Sequence, residues 1–206
     1  MQASDTAMRG QYASIARISG PLIVNNLAVA GMNFADTVMS GRLGADALAA
    51  VAVGANTWML VFSACLGLLM AISPLIARLY GAGDLERIGR YSRHGMYIGF
   101  GLGLLILVFG RPFAETFLTF VGIDPAFRHL TVEYVRVLLF GAPGILVFIA
   151  LRFTVEGVGY TRPIMFTSMF SLLTNVMLNY ALMFGKFGAP AMGVIGCAWA
   201  SAITSM

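Results

Sequence analysis

The chain has 206 residues, of which 59% are hydrophobic and only 11% charged, where an ordinary soluble domain carries about 25% charged residues. Together with a mean hydropathy of +0.84, this excludes a soluble globular domain and describes a polytopic membrane protein. The net charge of +4 is explained by basic residues beside membrane spans, so it gives no ground for a nucleic-acid partner.

Apolar segments fall near 15–41, 48–77, 94–117, 131–155, 163–184 and 191–206. Most approach or exceed the roughly 20 residues that a helix needs to cross about 30 Å of hydrocarbon. Backbone polar groups must be satisfied within a span, and no segment shows the alternation of a membrane barrel, so all six are expected to be helices. The fold class is an all-α membrane protein, a bundle of six transmembrane helices.

The opening stretch "MQASDTAMRGQYAS", residues 1–14, is polar and lacks the apolar core and cleavage site of a secretory leader. It is expected to be a cytoplasmic N-terminus, with the first helix retained. That first helix carries the one acid well inside a span, Asp36 in "NFADTVMSG", with Asn33 about one turn earlier. A charge at such depth costs at least about 2.5–3.5 kcal/mol on insertion scales and usually faces a wet cavity or pathway. The other acids fall elsewhere: Asp46, Asp84, Glu86, Asp124 and Glu156 at loops or ends, Glu115 and Glu133 at interfaces.

Cys65 lies in the second span and Cys197 in the sixth, with no metal-ligand spacing, and both read as packing residues. His94 and His129 flank helices and have no helical partner ligand. In the third span, "GFGLGLL" supplies the pairs Gly99/Gly103 and Gly101/Gly103, which permit close helix approach. With no preceding strand, this run is no nucleotide loop. Phe140 and Phe148 on the fourth span, with the thirteen methionines, read either as apolar filler or as the adaptable wall of a cavity.

On the fifth span, "SLLTNVMLNYALMF" spaces Asn175 and Asn179 four residues apart, placing both amides on one helix face beside Thr174. Ser201 offers a hydroxyl on the sixth. Gathered around Asp36, these neutral oxygens suit a monovalent cation or a proton better than Zn²⁺ or a hydrolytic centre. The bland alternative is interhelical amide bonding, worth about 0.6–2 kcal/mol. No nucleophile–base pair or metal triad supports an enzyme.

The sixth segment has 16 residues, Ala191–Met206, or about 24 Å of helix. That is short of a crossing, so the expectation is a truncated sixth helix in a fragment of a longer transporter. For orientation, Arg9, Arg17, Arg78, Arg87, Arg90, Arg93, Arg152 and Arg162 fall on one side, and Arg42, Arg111, Arg128, Arg136 and Lys186 on the other. The excess on the first side predicts a cytoplasmic N-terminus.

The runs "NFADTVMSGRLGADALAAVAVG", "GLLMAISPLIARLYGAGD", "YVRVLLFGAPGILVFIALRFTVEGVGYTRP", "NYALMFGKFGAP" and "GVIGCAWAS", in this order, closely resemble multidrug and toxic compound extrusion (MATE) transporters of the NorM type. The resemblance covers nearly the whole chain. It implies one six-helix lobe, spanning 1–206, of a two-lobe, twelve-helix transporter, with the C-terminal lobe absent from this chain. It also implies Na⁺- or H⁺-coupled export of organic cations and amphipathic drugs, with no other cofactor. The partners implied are membrane lipids, the cargo and a C-terminal lobe.

By matching motif, Asp36 resembles the family's first-helix acid for cation or proton binding and substrate contact. Asn175 and Asn179 resemble its fifth-helix polar partners, and Ser201 falls where some members place a threonine. Tyr134 resembles a fourth-helix tyrosine of the substrate pocket, to which Asn33 is also assigned, and Pro21 a first-helix bend point. Two positions depart from some members: Asn179 stands where they have a second acid, and Val29 where a glutamine is often found. The alternatives are a flippase for lipid-linked substrates from a related superfamily, an inactive structural fragment, and a self-paired half-transporter.

Overall fold

The computed structural model describes residues 2–188 and 190–205, with side chains from Ser19 onward. The side chains of the polar stretch 1–14 lie outside the described residues. Seven helical segments follow one another among the described residues: α1 (Gln2–Leu43), α2 (Ala45–Met70), α3 (Ile72–Gly81), α4 (Leu85–Phe120), α5 (Pro125–Gly157), α6 (Arg162–Phe184) and α7 (Val194–Thr204). Five continuous stretches are long and apolar enough to cross a membrane: Ser19–Leu43, Ala45–Gly81, Leu85–Phe120, Pro125–Gly157 and Arg162–Phe184; α7 is a shorter apolar helix.

The second span, expected as one helix over 48–77, runs through Ala45–Gly81 as one stretch whose helical pattern is interrupted at Ala71, between α2 and α3. Pro74 explains the break. It has no N–H to give to the carbonyl four residues back, that of Met70, and its ring crowds that carbonyl. At the break the Ala71 N–H bonds to the Leu68 carbonyl at 3.4 Å, a tighter turn than the α-helical pattern.

Helix α4 begins nine residues before the apolar run expected at 94–117. Asp84 caps it, accepting from the Arg87 N–H at 3.1 Å, so the helix starts in polar sequence and enters the apolar stretch already wound. Asp124 does the same for α5, accepting from the Ala126 N–H at 2.9 Å with Pro125 in the first turn.

Helix α5 is the axis of the bundle. It packs against α2, α3, α4 and α7, and Ala142, Leu146 and Ala150 along it are completely buried. In lipid the drive for such packing is close van der Waals contact rather than escape from water. The α4–α5 seam shows this. A Cβ on Gly99 would stand 2.7 Å from the Leu146 carbonyl oxygen, and one on Gly103 only 2.3 Å from the Pro143 Cα. Gly101 meets nothing within 4 Å, so the seam uses the i, i+4 pair alone.

On the other side of α5, α1 packs against α2 and α6, and α7 packs against both α6 and α5. These contacts close a circuit of α1, α2, α5, α7 and α6. Asn25 and Asp36 of α1 and Asn175 and Asn179 of α6 are buried within it.

Candidate functional site

Asp36 lies on the face of α1 turned toward α6 and α7, and it is 9% exposed. Each carboxylate oxygen has a partner on a different helix. Asn179 Nδ2 on α6 donates to Oδ1 at 2.5 Å, and Ser201 Oγ on α7 donates to Oδ2 at 3.2 Å. The i, i+4 spacing on α6 then extends the network, because Asn179 Nδ2 also donates to Asn175 Oδ1 at 3.0 Å. Asn175 in turn donates to Thr204 Oγ1 on α7 at 3.4 Å. Cys197, about one turn before Ser201, is fully buried with its thiol against the Asp36 carboxylate.

One acceptor in this network stays unmet. Asn179 is completely buried, and among the described residues its Oδ1 has no hydrogen-bond partner. A buried carbonyl without a donor costs about 1–3 kcal/mol, a cost that a bound cation or water would offset. The donor set around it consists of one carboxylate, two amide oxygens and a hydroxyl, all hard oxygens. That set fits a small monovalent cation.

The network forms one end of an open cavity of about 270 Å³. On α1 its wall is Asn25, Val29, Met32, Asn33 and Asp36, a stripe at helical spacing. Trp58 and Phe62 of α2, stacked with centroids 5.4 Å apart, and Phe148 and Arg152 of α5 also line it. Ser168, Ser171 and Asn175 continue the wall along α6. At the end remote from Asp36, Ser168 Oγ donates to Asn25 Oδ1, and Asn25 is 2% exposed.

The structure thus brings Asp36, Asn175, Asn179 and Ser201 together and puts Asn33 on the same cavity wall. Tyr134, expected in the substrate pocket, sits behind the wall instead. Its ring packs into the space left by Gly54, where an added Cβ would lie 2.5 Å from Cδ1, and it is 3% exposed. Tyr134 therefore supports the α2–α5 contact rather than the cavity surface. Of the two aromatics singled out on the fourth span, Phe148 lines the cavity and Phe140 is exposed on the outside of the bundle.

Pro21 lies within α1, which continues through it. Residues that sequence reasoning passed over are Asn25, Ser168, Trp58 and Arg152. Asn25 carried a readable signal, an amide inside an apolar span eleven residues, or three helical turns, before Asp36. Arg152 was hidden by its position near a helix end, where a basic residue counts toward orientation.

A membrane-spanning helical bundle with a buried carboxylate, oxygen donors on three helices and an open cavity beside them is an architecture suited to a membrane transporter. The MatE family model matches residues 21–181, and the chain belongs to that family.

Among its relatives, a probable multidrug resistance protein NorM from Halalkalibacterium halodurans is 33% identical over 184 residues, covering 89% of this chain and 40% of that protein. The multidrug resistance protein MdtK of Edwardsiella ictaluri is 36% identical over 189 residues, covering 92% and 41%. A solved structure of a MOP superfamily transporter from Pyrococcus furiosus superposes with a TM-score of 0.84 at 27% identity, covering 93% of this chain and 42% of that one. The chain spans about 40% of the length of the curated relatives it matches.

Proposed function

We propose that this chain supplies the cation-binding lobe of a cation-coupled antiporter that exports amphipathic organic cations across a bacterial inner membrane, with its N-terminus cytoplasmic. The observation that carries the reading is the buried Asp36 carboxylate, held by Asn179 and Ser201 beside the unmet Asn179 Oδ1. A second lobe, of the kind the greater length of the relatives allows, completes the transporter.

Coupling follows from competition for one negative charge. Either Na⁺ or H⁺ neutralises Asp36, and Na⁺ also gains the Asn179, Asn175 and Ser201 oxygens. An organic cation in the cavity draws on the same field, because Asp36 is on the cavity wall. Each therefore weakens the other by the same factor. If the ion enters from outside while the cargo is bound, the cargo is released there. Pro21 deprives α1 of one backbone hydrogen bond and gives the helix a place to bend between states.

The test uses the complete transporter in liposomes loaded with a fluorescent organic cation, with Na⁺ and pH gradients imposed separately. Asp36→Asn is expected to abolish the gradient-dependent part of efflux while leaving expression and folding intact. Coupled efflux at the wild-type rate would remove Asp36 from the coupling role. Movement of lipid-linked substrates alone, with no efflux of the dye, would favour the flippase reading.

A further inference from the structure

Arg152 is a cavity group that ion coupling leaves unused. It stands five residues before the end of α5 and lines the same cavity as Asp36. Its Nε is shielded from solvent without a hydrogen-bond partner. Among the described residues the guanidinium enters no ion pair, and Glu156, one turn further on, does not reach it. The carboxylate of Asp36 is the one acid among the residues lining the cavity.

A guanidinium offers five donors in a rigid fork that matches carboxylate and phosphate oxygens. Leaving part of it shielded from water and unpaired is costly unless a ligand meets it. Residues 158–161 connect α5 directly to α6, which by chain length sets Arg152 near the level of Thr167 and Ser168 on the cavity wall. Their single O–H groups are already committed, Thr167 Oγ1 to the Pro163 carbonyl at 2.9 Å and Ser168 Oγ to Asn25 Oδ1, so an anion here would draw on the guanidinium.

Counted along the helices, the two charged groups fall toward opposite ends of the cavity. Ser168 bonds to Asn25, and Asn179 bonds to Asp36. Each pair of positions on one helix differs by eleven residues, which is roughly 16 Å of helix. Between the poles the wall is aromatic and apolar, with Trp58, Phe62, Phe148 and Ile149.

We propose that Arg152 is an anion subsite, and that the cavity selects elongated amphipathic zwitterions whose carboxylate, sulfonate or phosphate docks on Arg152 while the cationic end faces Asp36. This rests on the reading of the cavity as a cargo site. Arg152 then determines specificity: it rewards a second, negative group on the cargo and repels a cargo that is cationic throughout.

The experiment compares two fluorescent probes with the same aromatic body. One carries a quaternary ammonium alone; the other carries the ammonium and, at its far end, a sulfonate. Binding to the intact transporter is followed by fluorescence anisotropy in neutral detergent, for wild type, Arg152→Gln and Arg152→Lys. Arg152→Gln is expected to weaken the zwitterion about tenfold or more, to tighten the cation-only probe, and to be partly rescued by Arg152→Lys.

Equal weakening of both probes would mark Arg152 as structural and overturn the proposal. So would an unchanged zwitterion affinity while the cation-only probe still binds, a result that leaves the cargo reading standing. If neither probe binds wild type, both readings fail. Added phosphatidylglycerol provides the last arm. Competition with the zwitterion that disappears in Arg152→Gln would assign the subsite to a lipid headgroup, and cargo selection by Arg152 would be overturned.

Discussion

Asn179 donates through Nδ2 to both Asp36 and Asn175 and keeps an Oδ1 that none of the described residues meets. An aspartate here would double the negative charge of the site; the amide instead orients a single carboxylate and adds a neutral oxygen. Removing it takes away both effects. Trp58 stands on the same cavity wall, so its fluorescence can report ion binding. In a Na⁺ titration of the intact transporter, Asn179→Ala is expected to raise the half-saturating concentration about tenfold, the size of one charge-assisted contact. An unchanged midpoint would take Asn179 out of the ion's shell. A wild type with no Na⁺ response would leave H⁺ as the coupling ion.

Much of the site is legible at this scale. An acid deep in an apolar span, and two amides at i, i+4 on another, are chemically conspicuous because lipid makes each expensive. Tyr134 is harder to place. Its position depends on Gly54 yielding room on a neighbouring helix, which is a tertiary fact. Arg152 is harder still, because orientation bookkeeping explains a helix-end arginine before any cavity is known.

At the scale of elements, hydropathy locates spans well and says little about where a helix begins, ends or breaks. The fifth span, expected over 163–184, is α6 at Arg162–Phe184, because Pro163 and Gly185 punctuate both ends of the apolar run. Helix α4 starts earlier than its apolar run because capping by Asp84 is a hydrogen-bonding event that transfer energies do not register. The division of α2 from α3 has the same character. Pro74 sits in a fully apolar context, and only its effect on the carbonyl of Met70 distinguishes it.

Pro112 and Pro143 lie inside unbroken helices, so a proline permits a break without compelling one. That is the case for α1 too, which continues through Pro21. Pro21→Ala restores the missing N–H and should stiffen the helix one turn before Asn25. The expected outcome is slower gradient-driven efflux with the Na⁺ midpoint preserved, measured in the same liposomes and Trp58 titration. Unaltered efflux and an unaltered distribution of conformational states would remove the hinge role from Pro21.

The whole molecule has a face that a lone bundle in lipid does not explain. Asn26, Asn33 and Thr37 are exposed on α1, and their spacing of seven and then four residues puts them on one stripe. Asn56 and Ser63, seven residues apart on α2, are exposed as well, and α1 packs against α2. Thr37, Asn56 and Ser63 return a hydrogen bond to their own helix, which lowers the cost of burial without cancelling it for the amides. Side chains of this kind in membrane spans usually border water or protein. By contrast, Val108 and Phe109 of α4, each 64% exposed, are ordinary lipid-facing groups. The stripe therefore marks the side on which the cavity opens, with Asn33 belonging to both. In a two-lobed transporter that side faces a water-filled cleft between lobes. Single cysteines at Asn33 and Asn56 of the complete transporter in membrane vesicles are expected to react readily with a hydrophilic maleimide, and one at Phe109 only slowly, since the thiolate that reacts forms in water and not in hydrocarbon. Equal rates at all three positions would mean that the polar stripe faces lipid like the rest of the surface, and that the cleft lies elsewhere.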